Sequence, residues 1–191
     1  GEALAEPLSI AIYAAGLAGS VRGKTAAILG AGPIGLCLAL ALKAEGAGAL
    51  YMTEKVEARE KAAGTAGADW TGNPDRDDVV AEVLRRESLG LDLVFECCGD
   101  QAALDQGLAL LKPGGTRVVV GIPLEPRVSF DSSKARRKEV RVQNVRRQNR
   151  CLEKAVGMIH AGRVRVDFLA THYFELGQAG QAYETAAARR D

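Results

Sequence analysis

The sequence predicts an α/β fold: a doubly wound parallel sheet with helices on both faces. Three observations predict it. From residue 25 onward, short aliphatic runs alternate with longer runs of helical period. A turn, Gly30-Ala31-Gly32-Pro33-Ile34-Gly35, joins the first strand to the helix that follows. An acid, Glu54, closes the next strand, 19 residues past Gly35 (54 − 35). Strand–helix–strand repeats of this kind cross over with one hand and lay helices on either side of the sheet.

Each element has its own signal. Residues 4–17 are apolar and helical and precede the first strand, 25–29. Residues 36–43 form the first crossover helix, and 49–53 the second strand. Residues 55–67 read as a helix and 68–70 as a short third strand, before Asn73-Pro74 breaks the chain. Residues 76–88 carry Val79, Val80, Val83 and Leu84 at helical spacing. Residues 91–96 are a strand ended by Gly99, and 102–111 a helix closed by Lys112-Pro113-Gly114-Gly115. Strands follow at 117–122 and 140–145, then a helix at 151–162. Beyond 163 the alternation stops: 170–174 looks extended, and 178–190 is an Ala-rich helix. The division is therefore a lead-in over 1–24, a Rossmann-type unit over 25–162, and a return segment over 163–191.

The glycine turn carries the functional signal, because each residue has a mechanical job. Gly30 lets the chain turn sharply out of the strand. Gly32 lets a pyrophosphate approach the backbone, and Gly35 lets the helix pack close to the sheet. Free N–H groups and the positive dipole end at the helix start suit phosphate. Pro33 is tolerated there because its missing N–H has no helical partner. Glu54 stands where a carboxylate accepts from an adenosine ribose and repels a 2′-phosphate, which favours NAD over NADP. A methyltransferase also uses a glycine loop and an acid, but its glycines are usually spaced more tightly.

The rest of the composition narrows the classes. With 47% hydrophobic residues and a net charge of +1, no global field draws the chain to nucleic acid or a membrane. No apolar run reaches spanning length and no signal peptide is evident. Cys37, Cys97, Cys98 and Cys151 lack zinc-cluster spacing and read as reduced, core-lining thiols in a cytoplasmic protein. His160 and His172 are the only histidines, too few for a metal site. The basic run between residues 130 and 150 reads as a solvated face, from which one or two arginines could reach a cofactor pyrophosphate. It lacks the interleaved aromatics of a nucleic-acid surface. No catalytic constellation is evident.

Several ordered motifs resemble the medium-chain dehydrogenase/reductase superfamily, in its zinc-dependent sorbitol (polyol) dehydrogenase-like branch. They are Glu6-Pro7-Leu8-Ser9, the glycine turn, Val94-Phe95-Glu96-Cys97-Cys98-Gly99, Leu111-Lys112-Pro113-Gly114-Gly115, Val118–Ile122, Lys138-Glu139-Val140 with Val145-Arg146-Arg147, and Thr171-His172-Tyr173-Phe174-Glu175-Leu176. Cys98 stands where that family usually has threonine. The resemblance implies hydride transfer between an alcohol and NAD in a parent enzyme. Gly30, Gly32, Pro33, Ile34 and Gly35 would hold the pyrophosphate, and Glu54 the ribose. Arg59 would lie near the adenosine end, Cys98, Gly121 and Ile122 would line the path to the nicotinamide, and Arg147 would contact the cofactor. Relatives carry roughly 150 earlier residues, a GroES-like domain that supplies the zinc ligands. Only Glu6 has a zinc-side counterpart here, and one carboxylate alone does not hold zinc. The chain thus resembles a cofactor domain alone, inactive by itself, that pairs with a second copy in a homo-oligomer. The alternatives are a stand-alone dinucleotide-binding or sensing module, or a zinc-independent reductase of the same superfamily.

Overall fold

The structure is a computed structural model that describes residues 2–123 and 125–188. Its six strands are β1 (Ala26–Leu29), β2 (Leu50–Thr53), β3 (Trp70–Gly72), β4 (Leu91–Glu96), β5 (Leu111–Val119) and β6 (Arg141–Asn144). They form one sheet in the order β3-β2-β1-β4-β5-β6, parallel at every pairing. The strand order reverses between β1 and β4, so the carboxyl ends of these two strands flank the crevice where such sheets bind ligands.

Alternating side chains explain why both faces are covered. Ile28, Leu50, Met52, Leu93, Phe95 and Val118 point into one apolar cluster with helices α1 (Ala5–Leu17), α2 (Pro33–Ala44) and α7 (Leu152–His160). Ala27, Leu29, Tyr51 and Val94 point into the opposite cluster with α4 (Val79–Arg86) and α5 (Gln101–Leu110). Two more helices, α3 (Glu57–Thr65) and α6 (Ser132–Arg137), complete the crossovers, and α8 (Ala179–Ala188) follows the last. The predicted α/β, doubly wound Rossmann-type sheet is the observed one.

The differences trace to specific contacts. β3 begins at Trp70, two residues later than expected, although the Asp69 N–H already donates to the Leu50 carbonyl at 2.8 Å. The Asp69 carboxylate accepts from the Leu50 N–H and the Lys43 ammonium, both at 2.7 Å. β5 starts at Leu111 and runs through Pro113-Gly114-Gly115, so that run does not separate helix from strand. Pairing with β4 shifts register between Leu91 and Leu93, which absorbs the extra residues as a bulge. β5 ends at Val119, short of Gly121 and Ile122. Helix α6 is short and was not expected; Asp131 caps it by accepting from the Lys134 N–H at 2.9 Å. Residues 170–174 form no strand and lie between two 3-10 turns, Asp167–Leu169 and Leu176–Gln178. Cys97 and Cys98 lie just beyond β4; Cys97 is half-buried and Cys98 exposed, so of the four thiols only Cys37 is fully buried. The expected end of the last helix at 190 lies outside the described residues.

Candidate functional site

The site is built mostly from backbone. Gly30 leaves β1 at φ +105°, a left-handed conformation that L side chains rarely adopt. Its N–H donates to the Thr53 carbonyl at 2.9 Å, so the turn is tied to the end of β2. Gly32 is the N-cap of α2, and a Cβ on it would meet no protein atom within 4 Å. Pro33 takes the first helical position. Gly35 is different: a Cβ there would collide with the Gly30 carbonyl oxygen and lie 3.4 Å from Ile28 Cγ2. Close packing of α2 on β1 therefore requires glycine at 35, while the space beside Gly32 is open for an anion at the helix start.

Glu54 follows β2 and organises the turn. Its Oε2 accepts from the Ala31 N–H at 2.9 Å, and its Oε1 from the N–H groups of Lys55 at 2.8 Å and Val56 at 3.0 Å. A carboxylate has about four acceptor positions, so one remains for a ligand hydroxyl.

Three adjoining clefts bring the expected residues together. The largest, about 730 Å³, is lined by Gly30, Gly32, Pro33, Glu54, Arg59 and Cys98. Thr171, His172, Phe174 and Ala182, from the return segment, close its other side. A second, about 250 Å³, lies between the ends of β2 and β4 and adds Lys55, Asp75, Asp100 and Gln106. A third, about 510 Å³, holds Ile34, Gly121, Ile122 and Arg147, with Ile10, Val145 and Arg146. Cys97 faces both the first and third. Arg147 has a left-handed backbone, φ +55°, unusual for a non-glycine residue. Sequence reasoning had no signal for the loop residues Asp75 and Asp100, whose positions depend on distant parts of the chain.

The thiols here are poor nucleophiles. Burial, and then the Glu96 carboxylate, push the Cys98 thiol up to about 12 and the Cys97 thiol well above its usual value. Burial pushes Cys37 up to about 12 as well, helped by the charge of Glu6.

Among the described residues, no group of three or more His, Cys, Asp or Glu side chains could hold a metal ion. Glu6 is exposed on α1 and lines none of the three clefts. The residues present do not form a zinc ligand set, which needs three or four donors. No helix among the described residues is long and apolar enough to cross a membrane.

Residues 33–161 match the family model described as zinc-binding dehydrogenase. The chain belongs to that family. Sorbitol dehydrogenase of Ovis aries is 33% identical over 187 residues, covering 96% of this chain and 52% of that protein. The chain thus spans about half the length of the curated relatives it matches. A crystal structure of an Escherichia coli oxidoreductase/dehydrogenase of unknown specificity superposes with a TM-score of 0.92 at 31% identity, over 98% of this chain and 54% of that one. A zinc-binding dehydrogenase from Sinorhizobium meliloti, in a structure bound to NADP, gives 0.81 at 28% identity, over 86% of this chain and 49% of that one. The resemblance to the zinc-dependent polyol branch and the Rossmann-type architecture agree with these findings.

Proposed function

We propose that this chain is the dinucleotide-binding half of an NAD-dependent polyol or secondary-alcohol dehydrogenase. The observation that carries the reading is the packing of α2 on β1: Gly35 against the Gly30 carbonyl, with an open helix start at Gly32. Gly30, Gly32, Pro33, Ile34 and Gly35 would cradle the pyrophosphate on backbone N–H groups. The remaining acceptor position of Glu54 would take a ribose hydroxyl, with Arg59 beside it. The 250 Å³ cleft between Thr53, Lys55, Asp75 and Asp100 suits the adenine end. Cys98, Gly121, Ile122 and Arg147 would flank the nicotinamide end. The bound cofactor would supply hydride exchange with the alcohol carbon. Everything this chain does for that step is binding, orientation and exclusion of water.

NAD is the preferred form in this proposal, because a 2′-phosphate would face the Glu54 charge. Zinc belongs to the parent enzyme's other half, where Glu6 would add at most one carboxylate, so no zinc step is assigned here. Residues 1–24 and 163–191 are proposed as the segments that lead from and return to that half. The polyol substrate, the homo-oligomer and the inactivity of the chain alone belong to the same proposal. Calorimetric titration with NADH and with NADPH tests the reading. NADH binding at least tenfold tighter than NADPH is the expected result. Equal binding refutes the role of Glu54, and binding of neither refutes the cofactor site.

A further inference from the structure

We propose that Glu96 is a positioning residue that locks the β4 and β5 loops around the cofactor, an inference that rests on the cofactor reading above. Glu96 ends β4 and is 1% exposed, in register between Leu29 on β1 and Val119 on β5. A carboxylate in such a place is unfavourable unless it is hydrogen-bonded. Its Oε1 accepts from the Cys98 N–H at 2.7 Å and the Gly99 N–H at 2.5 Å. Its backbone carbonyl accepts from the N–H groups of Val120 at 2.8 Å and Gly121 at 2.9 Å. One residue therefore holds both loops, through its side chain on one and its backbone on the other.

The second carboxylate oxygen, Oε2, is buried and receives no hydrogen bond among the described residues. It faces Gly121. A Cβ at Gly121 would lie 2.8 Å from Oε2 and 2.9 Å from Oε1, and would collide with the Gly99 N–H. Gly99 is left-handed, φ +73°, and a Cβ there would press into the Ile122 carbonyl. Glu96, Gly99, Gly121 and Ile122 are thus interlocked, and neither glycine can be replaced without moving the carboxylate or the opposite loop.

This junction touches the glycine turn as well. A Cβ at Gly30 would sit 3.2 Å from Cys98 Cβ, so any shift of the loop that Glu96 holds carries Cys98 toward or away from the pyrophosphate cradle. On the other side the same junction sets Gly121 and Ile122, walls of the third cleft. A buried acid with one oxygen unpaired is a weak means of stabilising a fold. Its position is explained by what it aligns: two cleft walls on opposite sides of one strand end.

The test uses the purified chain, with Glu96→Gln and Gly121→Ala as variants. Each is measured for NADH and NADPH affinity by calorimetry, and for folding by circular dichroism and thermal melting. The expected result is at least a tenfold weaker affinity in protein that is fully folded at the titration temperature. Wild-type affinity in a folded variant, whatever its melting temperature, overturns the inference and leaves the cofactor reading intact. Failure of the wild-type chain to bind either dinucleotide overturns both. If a variant does not fold, amide hydrogen exchange of the wild-type chain decides. Cys98, Gly99 and Gly121 exchanging together, and slowing together on NADH binding, support the lock, whereas independent exchange overturns it.

Discussion

Gly35→Ala and Gly64→Ala make the same chemical change in two helices and should move stability in opposite directions. At Gly64, in the last turn of α3, a Cβ meets nothing within 4 Å and the backbone is not left-handed. The substitution there gains helix propensity and lowers the entropy of the unfolded chain, together about 0.5–1 kcal/mol of stabilisation. At Gly35 the same propensity gain is available, but the new methyl strikes the Gly30 carbonyl, a backbone atom that cannot turn aside as a side chain could. Forcing atoms into a packed interior costs about 1–3 kcal/mol, and a backbone obstacle belongs at the upper end. The net expectation is a loss of about 2 kcal/mol. In a chain of this size each kcal/mol moves the melting temperature by about 2–4 °C. Gly35→Ala also pushes α2 away from β1 and displaces the Gly30–Gly32 turn, so NADH affinity should fall about tenfold or more, while Gly64→Ala leaves it unchanged. Urea and thermal melts with NADH titration measure all of this. Two variants that shift stability in the same direction would refute the reasoning, because the packing of α2 on β1 would then not depend on the absence of a side chain at 35.

Three further outcomes are expected. Glu54→Gln keeps an acceptor for a ribose hydroxyl and removes the charge that opposes a 2′-phosphate, so NADPH affinity should rise about tenfold relative to NADH (~1.4 kcal/mol); an unchanged ratio in parallel titrations would place discrimination elsewhere. Cys98, exposed but raised to about 12, has roughly one thiolate in ten thousand molecules at pH 8. Its alkylation by iodoacetamide, mapped by mass spectrometry, should be slow, rise about tenfold per pH unit and be blocked by NADH; fast labelling at neutral pH would contradict the raised thiol. Burial opposes ionisation of Asp69, but the Lys43 ammonium and the Leu50 N–H outweigh it and hold the folded carboxyl below its usual value. The stabilisation is then complete above the unfolded value and lost as pH falls through the folded one. Asp69→Asn should be less stable than wild type near neutral pH, with the gap closing in melts as pH falls below the ordinary carboxylate range; a gap independent of pH would mean that the charge does not matter.

What was legible in the sequence was whatever has a local cause. β4 appears at its expected bounds, Leu91–Glu96, because an apolar run flanked by glycine leaves a strand little choice. Gly30, Gly32 and Gly35 could be read as a strand-to-helix turn because that turn needs glycine at that spacing, and the structure sets them, with Glu54 after β2, at one edge of the sheet. The misses are long-range. The Asp69 carboxylate, just before β3, meets Lys43, 26 residues away. Lys138 reaches back to the carbonyls of Ala109 at 2.8 Å and Leu111 at 2.5 Å, satisfying the end of α5 and smoothing its passage into β5. Nothing in the run around Pro113 announces that a lysine from a later helix end will do this. Cys97 and Cys98 read as core-lining thiols because they follow so apolar a strand, yet β4 stops where the Glu96 carboxylate turns the backbone N–H groups of Cys98 and Gly99 onto itself.

The division of labour at the sheet edge follows from these causes. The cradle at Gly30–Gly35 and the junction at Glu96–Gly121 are set by backbone and by positions where a side chain has no room, so they fix the shape of the ligand more than its charge. On the proposed cofactor reading, charge discrimination would fall to Glu54, Lys55 and Arg59, which line the clefts. Changes of the first kind should therefore weaken every dinucleotide together, and changes of the second kind should reorder them. Gly35→Ala and Glu54→Gln separate the two: loss of NADH and NADPH binding in parallel for one, and a changed ratio for the other. If Glu54→Gln instead weakened both cofactors equally, its bond to the Ala31 N–H would be its main contribution, and Glu54 would belong with the glycines as a part of the cradle.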